Sequence, residues 1–299
     1  MRAIVTGATG LIGTRLVRAL TERGDEVTVL SRDPQRARER LGVAAVKWAP
    51  LRGPAPALAG ADAVVHLAGE PVAQRWSAAA RERISASREL GTAGLVAGLE
   101  AAEPRPGVLV SASGVGYYGP RGDEEVDESS PPGVDFLAQV CAAWEDAARA
   151  AEELGVRVVL VRTGVVLDRN GGALAKMLPP FRAGVGGPVA GGRQWMSWIH
   201  VEDLVGLYLA ALDGGEAWRG PVNATAPRPA RNADFSKALG RALRRPAVVP
   251  VPGAALRLLY GEMAEIVTTG QRAAPRRALE LGYAFRHPEL EEALRSALT

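Results

Sequence analysis

Three glycines, Gly7, Gly10 and Gly13, are spaced GxxGxxG in the run Val5 to Gly13 near the N-terminus. Glycines at this spacing bind anions when they join a strand to a helix. Gly7 permits a tight turn at the strand end, and Gly10 lets backbone N–H groups approach a pyrophosphate. Gly13 allows close packing of helix on sheet. The helix N-terminus then presents its unpaired N–H groups and positive dipole end to the anion. The flanking sequence supplies both elements. Ala3 to Thr6 reads as a strand, and Leu11 to Arg23 as a helix with Leu11, Leu16, Val17 and Leu20 on one face and Gly24 as its stop.

The next strand, Glu26 to Leu30, ends in Ser31-Arg32. Folds that prefer NAD carry a carboxylate here for the ribose 2′-hydroxyl. A carboxylate would repel a 2′-phosphate, whereas a guanidinium and a hydroxyl bind it, so the pair points to NADP(H). The alternative leaves Arg32 on the surface and makes Asp33 the ribose ligand. A further apolar strand, Ala63 to Leu67, runs into His66-Leu67-Ala68-Gly69. Its small residues let the adenosine side of a cofactor lie flat, and His66 itself reads as a structural histidine.

These residues need a scaffold, and the rest of the chain describes one. Strand-like runs at Ala44–Trp48, Val108–Val110 and Arg157–Val161 alternate with helical runs at Ser77–Ala102 and Phe136–Leu154. Such alternation implies an α/β fold, a doubly wound parallel Rossmann sheet with right-handed crossovers, and a smaller C-terminal substrate domain. We place the dinucleotide-binding domain at 1–165 and the substrate-side domain at 166–299, with the chain returning to the sheet near 199–226. Residues 179–193 read as one Gly- and Pro-rich loop, 199–212 as a helix entered through a polar turn, and 232–243 as another helix before the proline-spaced stretch 246–252.

Composition narrows the class. Of 299 residues, 47% are hydrophobic and 23% charged, the balance of an ordinary globular chain. One cysteine, Cys141, excludes an internal disulfide and any cysteine-rich metal centre. A net charge of +3 from scattered arginines, as in Arg38-Glu39-Arg40, lacks the clusters that nucleic-acid binding needs. No apolar run reaches membrane-spanning length and no leader precedes the first strand, so a cytoplasmic protein without nucleic-acid or membrane partners is expected. The oligomeric state stays open.

The fingerprint, SRDP, HLAGEP, SASGVGYYG, RTGVVL, the run from Met177 to Leu204 and RNADF together resemble the epimerase-like branch of the extended short-chain dehydrogenases. That branch is often labelled a nucleoside-diphosphate-sugar epimerase family and has a family-specific C-terminal domain of unknown role. The resemblance spans essentially the whole chain and implies NADP(H) in the Rossmann half and a small-molecule substrate, such as a sugar nucleotide or other carbonyl compound, in the cleft. Carried over by position, the cofactor contacts are Gly7, Thr9, Gly10, Leu11, Ile12, Gly13, Ser31, Arg32, Leu67, Ala68, Gly69, Arg88, Ser111 and Val166.

Relatives of this kind use a Tyr-x-x-x-Lys pair for acid–base work. Here Tyr117, Tyr118, Tyr208, Tyr260 and Tyr283 all lack a lysine four residues on, and the usual positions fall on Leu137 and Cys141. Ser113, Tyr117 and Tyr118 remain as catalytic candidates, with shaping of the cleft as the alternative for the tyrosines. Cys141 reads as a packing residue rather than a nucleophile. The acidic stretch Asp123 to Glu128 reads as a solvated loop, and no metal site is expected. Lys176, Arg182, Arg193 and His200 are candidates for a substrate phosphate or are solvated loop charges, and Asp203 is expected to brace. Two functions follow: an NADP(H)-dependent oxidoreductase or epimerase with a non-standard active site, or a non-catalytic NADP(H) sensor.

Overall fold

Runs of Val, Ile and Leu bounded by glycine and charge become buried strands, and the amphipathic runs between them become the covering helices. The computed structural model describes all 299 residues. It begins with β1 (Arg2–Thr6), α1 (Leu11–Glu22), β2 (Glu26–Ser31), α2 (Pro34–Leu41) and β3 (Ala44–Lys47). Next come β4 (Ala63–His66), α3 (Ala78–Glu100), β5 (Val108–Gly114), the short β6 (Glu125–Val126), α4 (Phe136–Arg149) and β7 (Arg157–Thr163). The second part contains β8 (Val165–Leu167), α5 (Gly172–Arg182), β9 (Trp195–Met196), β10 (Trp198–His200), α6 (Val201–Asp213) and β11 (Gly220–Ala224). The chain ends through β12 (Ala230–Arg231), α7 (Asn232–Leu243), α8 (Gly253–Tyr260), α9 (Ala264–Thr268), β13 (Arg272–Ala273), α10 (Arg276–Glu280) and α11 (Leu290–Leu298).

Seven strands form one parallel sheet in the order β11-β7-β5-β4-β1-β2-β3. Successive strand residues point to opposite faces, and both faces are buried. Val5, Val29, Val65 and Val110 pack with Leu16 and Leu20 of α1 and Leu204, Leu207 and Tyr208 of α6. Ile4, Val64, Leu109 and Val158 pack on the other side with Leu95 and Leu99 of α3. Ser77 caps α3 through the Ala80 N–H at 3.2 Å, where the sequence starts that helix.

The order of strands reverses between β1 and β4, so their carboxyl ends flank a crevice. Return of the chain brings α6 onto the sheet and β11 to its edge beside β7. A separate core of Leu174, Leu178, Phe181, Trp198, Phe235, Leu239 and Leu294 joins α5, α7 and α11 into the smaller lobe.

One expectation is corrected. Residues 179–193 are not a single loop, because α5 continues through Pro179 and Pro180 to Arg182. Two interior prolines cost roughly 3 kcal/mol each, about 6 together, whereas burial of Leu174, Leu178 and Phe181 returns about 1.5–3 kcal/mol apiece, up to about 9 together. Packing wins.

Candidate active site

The glycine loop is built as its spacing requires. Gly7 has φ +65°, and a Cβ there would stand 2.6 Å from the Leu67 carbonyl. Glycine is therefore needed for conformation and for the close approach of β4. A Cβ on Gly13 would meet the Gly7 oxygen and the Ala8 Cα at 2.5 Å. Its close packing is of helix on loop, where the sequence reading had helix on sheet. Gly10 caps α1 with extended backbone and no side-chain acceptor. The N–H groups of Leu11, Ile12 and Gly13 thus have no partner in the protein, and Thr9 stands half-buried beside them with a free hydroxyl. An anion fits this cradle.

Thr6 fastens the neighbouring strand end, a role that sequence reasoning missed. Its Oγ1 accepts the Leu67 and Ala68 N–H groups, both at 3.2 Å, and lies 2.8 Å from His66 Nδ1. With two N–H groups already donating to it, the Thr6 hydroxyl donates to Nδ1, so His66 Nε2 carries the proton and donates to Thr92 at 3.1 Å. Burial, with Arg88 nearby, lowers the His66 pKa to about 4. His66 is a neutral structural histidine.

Since the unfolded histidine titrates near 6.5, the unfolded chain takes up the proton first as pH falls. The stability from a neutral His66 is complete above pH 6.5 and is lost as pH drops towards 4, at up to about 1.4 kcal/mol per pH unit. Urea titrations across that window should show this slope in the wild type and a flatter one in His66→Gln. Equal slopes would remove His66 as its source.

At the end of β2 the two readings of Ser31-Arg32-Asp33 separate. Asp33 Oδ1 accepts the Arg36 N–H at 3.0 Å and caps α2, and Ser31 Oγ donates to the Asp33 carbonyl at 3.0 Å. Arg32 is exposed and forms no ion pair. The guanidinium is the free group.

Across the crevice, Leu67 and Ala68 are half-buried and Gly69 is exposed. Arg88 of α3 lies beneath Gly69, where its Nη1 donates to the Glu70 and Ile84 carbonyls at 3.0 and 3.2 Å. The guanidinium rests 4.9 Å from the Trp144 ring centre. This buried cation has no carboxylate partner, an arrangement that favours an anionic or polar ligand. Val166 sits half-buried in β8, and Leu11 contacts the Gly171-Gly172 turn that follows it. Ser111 differs from expectation. It is sealed inside the sheet with its hydroxyl on the Ala112 carbonyl at 3.3 Å, so it offers nothing to the cleft.

The catalytic candidates divide. Ser113 Oγ donates to Glu145 at 2.8 Å, and Arg162 donates to both Glu145 oxygens at 2.8 Å. The Tyr118 hydroxyl donates to Asn223 Oδ1 at 2.6 Å and accepts from Arg162 at 3.0 Å. Burial raises the Tyr118 pKa above its ordinary value, although Arg162 opposes it. The hydroxyls of Ser113 and Tyr118 are therefore engaged in a buried brace, which for Tyr118 fits the structural alternative over the acid–base one. Tyr117 alone keeps a half-exposed ring and an unbonded hydroxyl, with the Arg162 guanidinium 3.5 Å from its ring centre. Leu137 packs where a Cβ on Gly116 would stand, and burial raises the Cys141 thiol to about 12. The cysteine is a packing residue, as expected.

The second lobe closes over this floor. Arg15 bonds the buried Asp168 at 2.5 Å, Lys176 donates to the Ala73 carbonyl at 3.0 Å, and Arg75 donates to the Leu258 carbonyl at 3.1 Å. Lys176 is thereby a tie between lobes, Arg182 is exposed with no hydrogen bond or ion pair, and His200 is buried. Arg193 lines a cavity of about 740 Å³ with Trp195, Arg231 and Asp123. The acidic stretch is exposed from Asp123 to Glu125, as expected of a solvated loop, and is also tied down by ion pairs. Asp123, Glu125 and Asp127 pair with Arg231, Arg272 and Arg276, and Glu128 accepts the Asn223 N–H at 2.9 Å. Asp203 braces as expected, accepting the Arg286 and His287 N–H groups at 2.7 and 2.9 Å.

Comparison with known proteins gives the family and the fold. Residues 3–223 match the NAD dependent epimerase/dehydratase family, and residues 251–297 match a domain of unknown function, DUF1731. The chain is 42% identical to the chloroplastic epimerase family protein SDR39U1 homolog of Arabidopsis thaliana, over all of this chain and 87% of the relative. The human epimerase family protein SDR39U1, solved with NADPH, superposes with TM-score 0.89 at 38% identity over the full length of both chains. A nucleoside-diphosphate sugar epimerase from Corynebacterium glutamicum gives 0.79 at 34% identity, covering all of this chain and 58% of that one. No helix is long and apolar enough to cross a membrane.

Proposed function

Because the chain belongs to the NAD dependent epimerase/dehydratase family, we propose that it is an NADP(H)-dependent oxidoreductase or epimerase-like enzyme acting on a small or nucleotide-linked carbonyl or alcohol. The observation that carries this reading is the anion cradle at the unpartnered N-terminus of α1, with the free guanidinium of Arg32 one strand away. The human relative solved with NADPH supports the choice of cofactor. When bound, NADPH supplies a hydride from nicotinamide C4. The N–H groups of Leu11, Ile12 and Gly13 would hold the pyrophosphate, Arg32 would hold the 2′-phosphate, with Ser31 joining it only by turning its hydroxyl from the Asp33 carbonyl, and Gly7 and Gly13 keep the cradle tight. Leu67, Ala68 and Gly69 form the flat wall, Val166 borders it, and Arg88 presents fixed positive charge on the β4 side.

Tyr117 is the proton donor in this proposal. Its hydroxyl is free, whereas those of Ser113 and Tyr118 are spent in the brace. General-acid catalysis contributes about 10²–10⁴-fold. Tyr117→Phe should therefore lower kcat by about a hundredfold or more and leave the Kd for NADPH unchanged, with NADPH oxidation against carbonyls and sugar nucleotides as readout. Full activity in that variant would remove Tyr117 from the role.

The rival reading is a non-catalytic NADP(H) sensor. Leu137 and Cys141 favour it, since neither can replace a tyrosine–lysine pair. Tight NADPH binding without turnover of any carbonyl or sugar nucleotide would select it.

A further inference from the structure

We propose that His200, Glu202 and His287 form a binding site for one divalent transition-metal ion of the zinc type. The chain has three histidines and one cysteine, so its donors for such an ion are few. His66 has both ring nitrogens engaged and Cys141 is sealed. The two remaining histidines face one another across the junction between α6 and the C-terminal segment, with ring centres 3.8 Å apart and planes tilted by 44°. Donor atoms of His200, Glu202 and His287 all lie within 4.8 Å of one another.

His200 is 2% exposed, and its Nε2 is buried without any hydrogen-bond partner. Such an atom costs about 1–3 kcal/mol if left unsatisfied. The opposite nitrogen, Nδ1, faces the Glu202 amide at 3.3 Å, a long contact. Binding at Nε2 gives up that contact for a metal–nitrogen bond of about 2.0–2.1 Å. His287 Nε2 lies 3.1 Å from Glu202 Oε2, while its Nδ1 lies 3.0 Å from Glu292 Oε2. A carboxylate on the far nitrogen of a ligating histidine orients the ring and raises its basicity. Tetrahedral neighbours stand about 3.3 Å apart, so the donors must draw together. Glu202 is the half-exposed member that moves most freely and leaves room for a water as fourth ligand.

The backbone beneath is already fixed. Asp203 holds the Arg286 and His287 amides, and the Tyr283 hydroxyl donates to the Asp203 carbonyl at 3.0 Å. A bound ion would act as a clasp between the start of α6 and the C-terminal segment. Two nitrogens and one carboxylate suit zinc and its borderline neighbours rather than calcium or magnesium.

The test uses the full-length protein without a histidine tag. Dialysis against Zn²⁺ should leave one equivalent per chain, and Co²⁺ should produce the visible absorption of a four- or five-coordinate site. His287→Phe should weaken Zn²⁺ binding by about a hundredfold and Glu292→Gln by about tenfold, with circular dichroism and NADPH affinity unchanged. Zn²⁺ should also raise the Tm of the wild type and not that of His287→Phe. No saturable one-to-one uptake, or uptake that His287→Phe leaves intact, overturns the proposal.

Discussion

Arg32→Asp should raise the Kd for NADPH by roughly 10²–10³ and leave the Kd for NADH within a few-fold of its starting value. The magnitude follows from removing a charge-assisted contact, about 1.5–3 kcal/mol, and placing a like charge beside the 2′-phosphate. The geometry makes Arg32 the residue to change. Asp33 has a carboxylate oxygen on the Arg36 amide and serves the start of α2, whereas Arg32 is exposed and unpaired. Fluorescence titration with both cofactors checks the result. Equal losses for NADPH and NADH would mean that the substitution damaged the loop. Unchanged NADPH affinity would place the 2′-phosphate elsewhere.

Glu145→Ala should destabilise the fold by about 3–5 kcal/mol, the range for breaking a buried ion pair by removing one partner. Glu145 is fully buried and receives Arg162 through both oxygens, Ser113 through one and Arg149 at 3.0 Å through the other. Without it, a guanidinium that is 1% exposed would keep as hydrogen-bond acceptors only the Tyr118 hydroxyl and the Glu128 carbonyl. Burial alone would lower the Arg162 pKa, yet the hydrogen bonds and charge of Glu145 hold it above an arginine's ordinary value. Urea denaturation of Glu145→Ala, Arg162→Met and the double variant gives the coupling. The double variant should recover part of the loss, because no charge is then stranded. A loss below about 1 kcal/mol in the single variant would contradict the brace.

Much of the cofactor half was legible because its signals are local. The GxxGxxG loop, the strand before it and the helix after it lie within about twenty residues, and Ser31-Arg32 closes the next strand. The brace was not legible, since Ser113, Glu145, Arg162 and Asn223 meet only through the sheet. Two signs were nonetheless present. Arg162 directly follows the apolar run Val158–Val161 inside a buried strand, and Glu145 lies one helical turn past Cys141 on the packed face of α4. Charges in such places need partners. Strand β11 was hidden for another reason, because Gly-Pro-Val-Asn-Ala has the composition of a turn and becomes a strand only beside β7. The partners of the solvent-facing acidic stretch were likewise not legible, since its arginines arrive from beyond residue 230.

The late arrival of β11 bears on whether the two halves of the gene product are separable. A fragment ending at Thr163 would contain every residue of the glycine loop and of the 2′-phosphate corner, and would look like a self-sufficient nucleotide module. It would nevertheless expose the backbone edge of β7 that β11 covers, and deprive Tyr118 of the Asn223 oxygen. It would also uncover the apolar face that α6 shields with Leu204, Leu207 and Tyr208. An open parallel edge with apolar surface beside it is a site for self-association. Domain swaps and truncations should therefore keep residues 1–224 together, because the nucleotide half is finished by sequence that lies beyond the first turns of the substrate lobe.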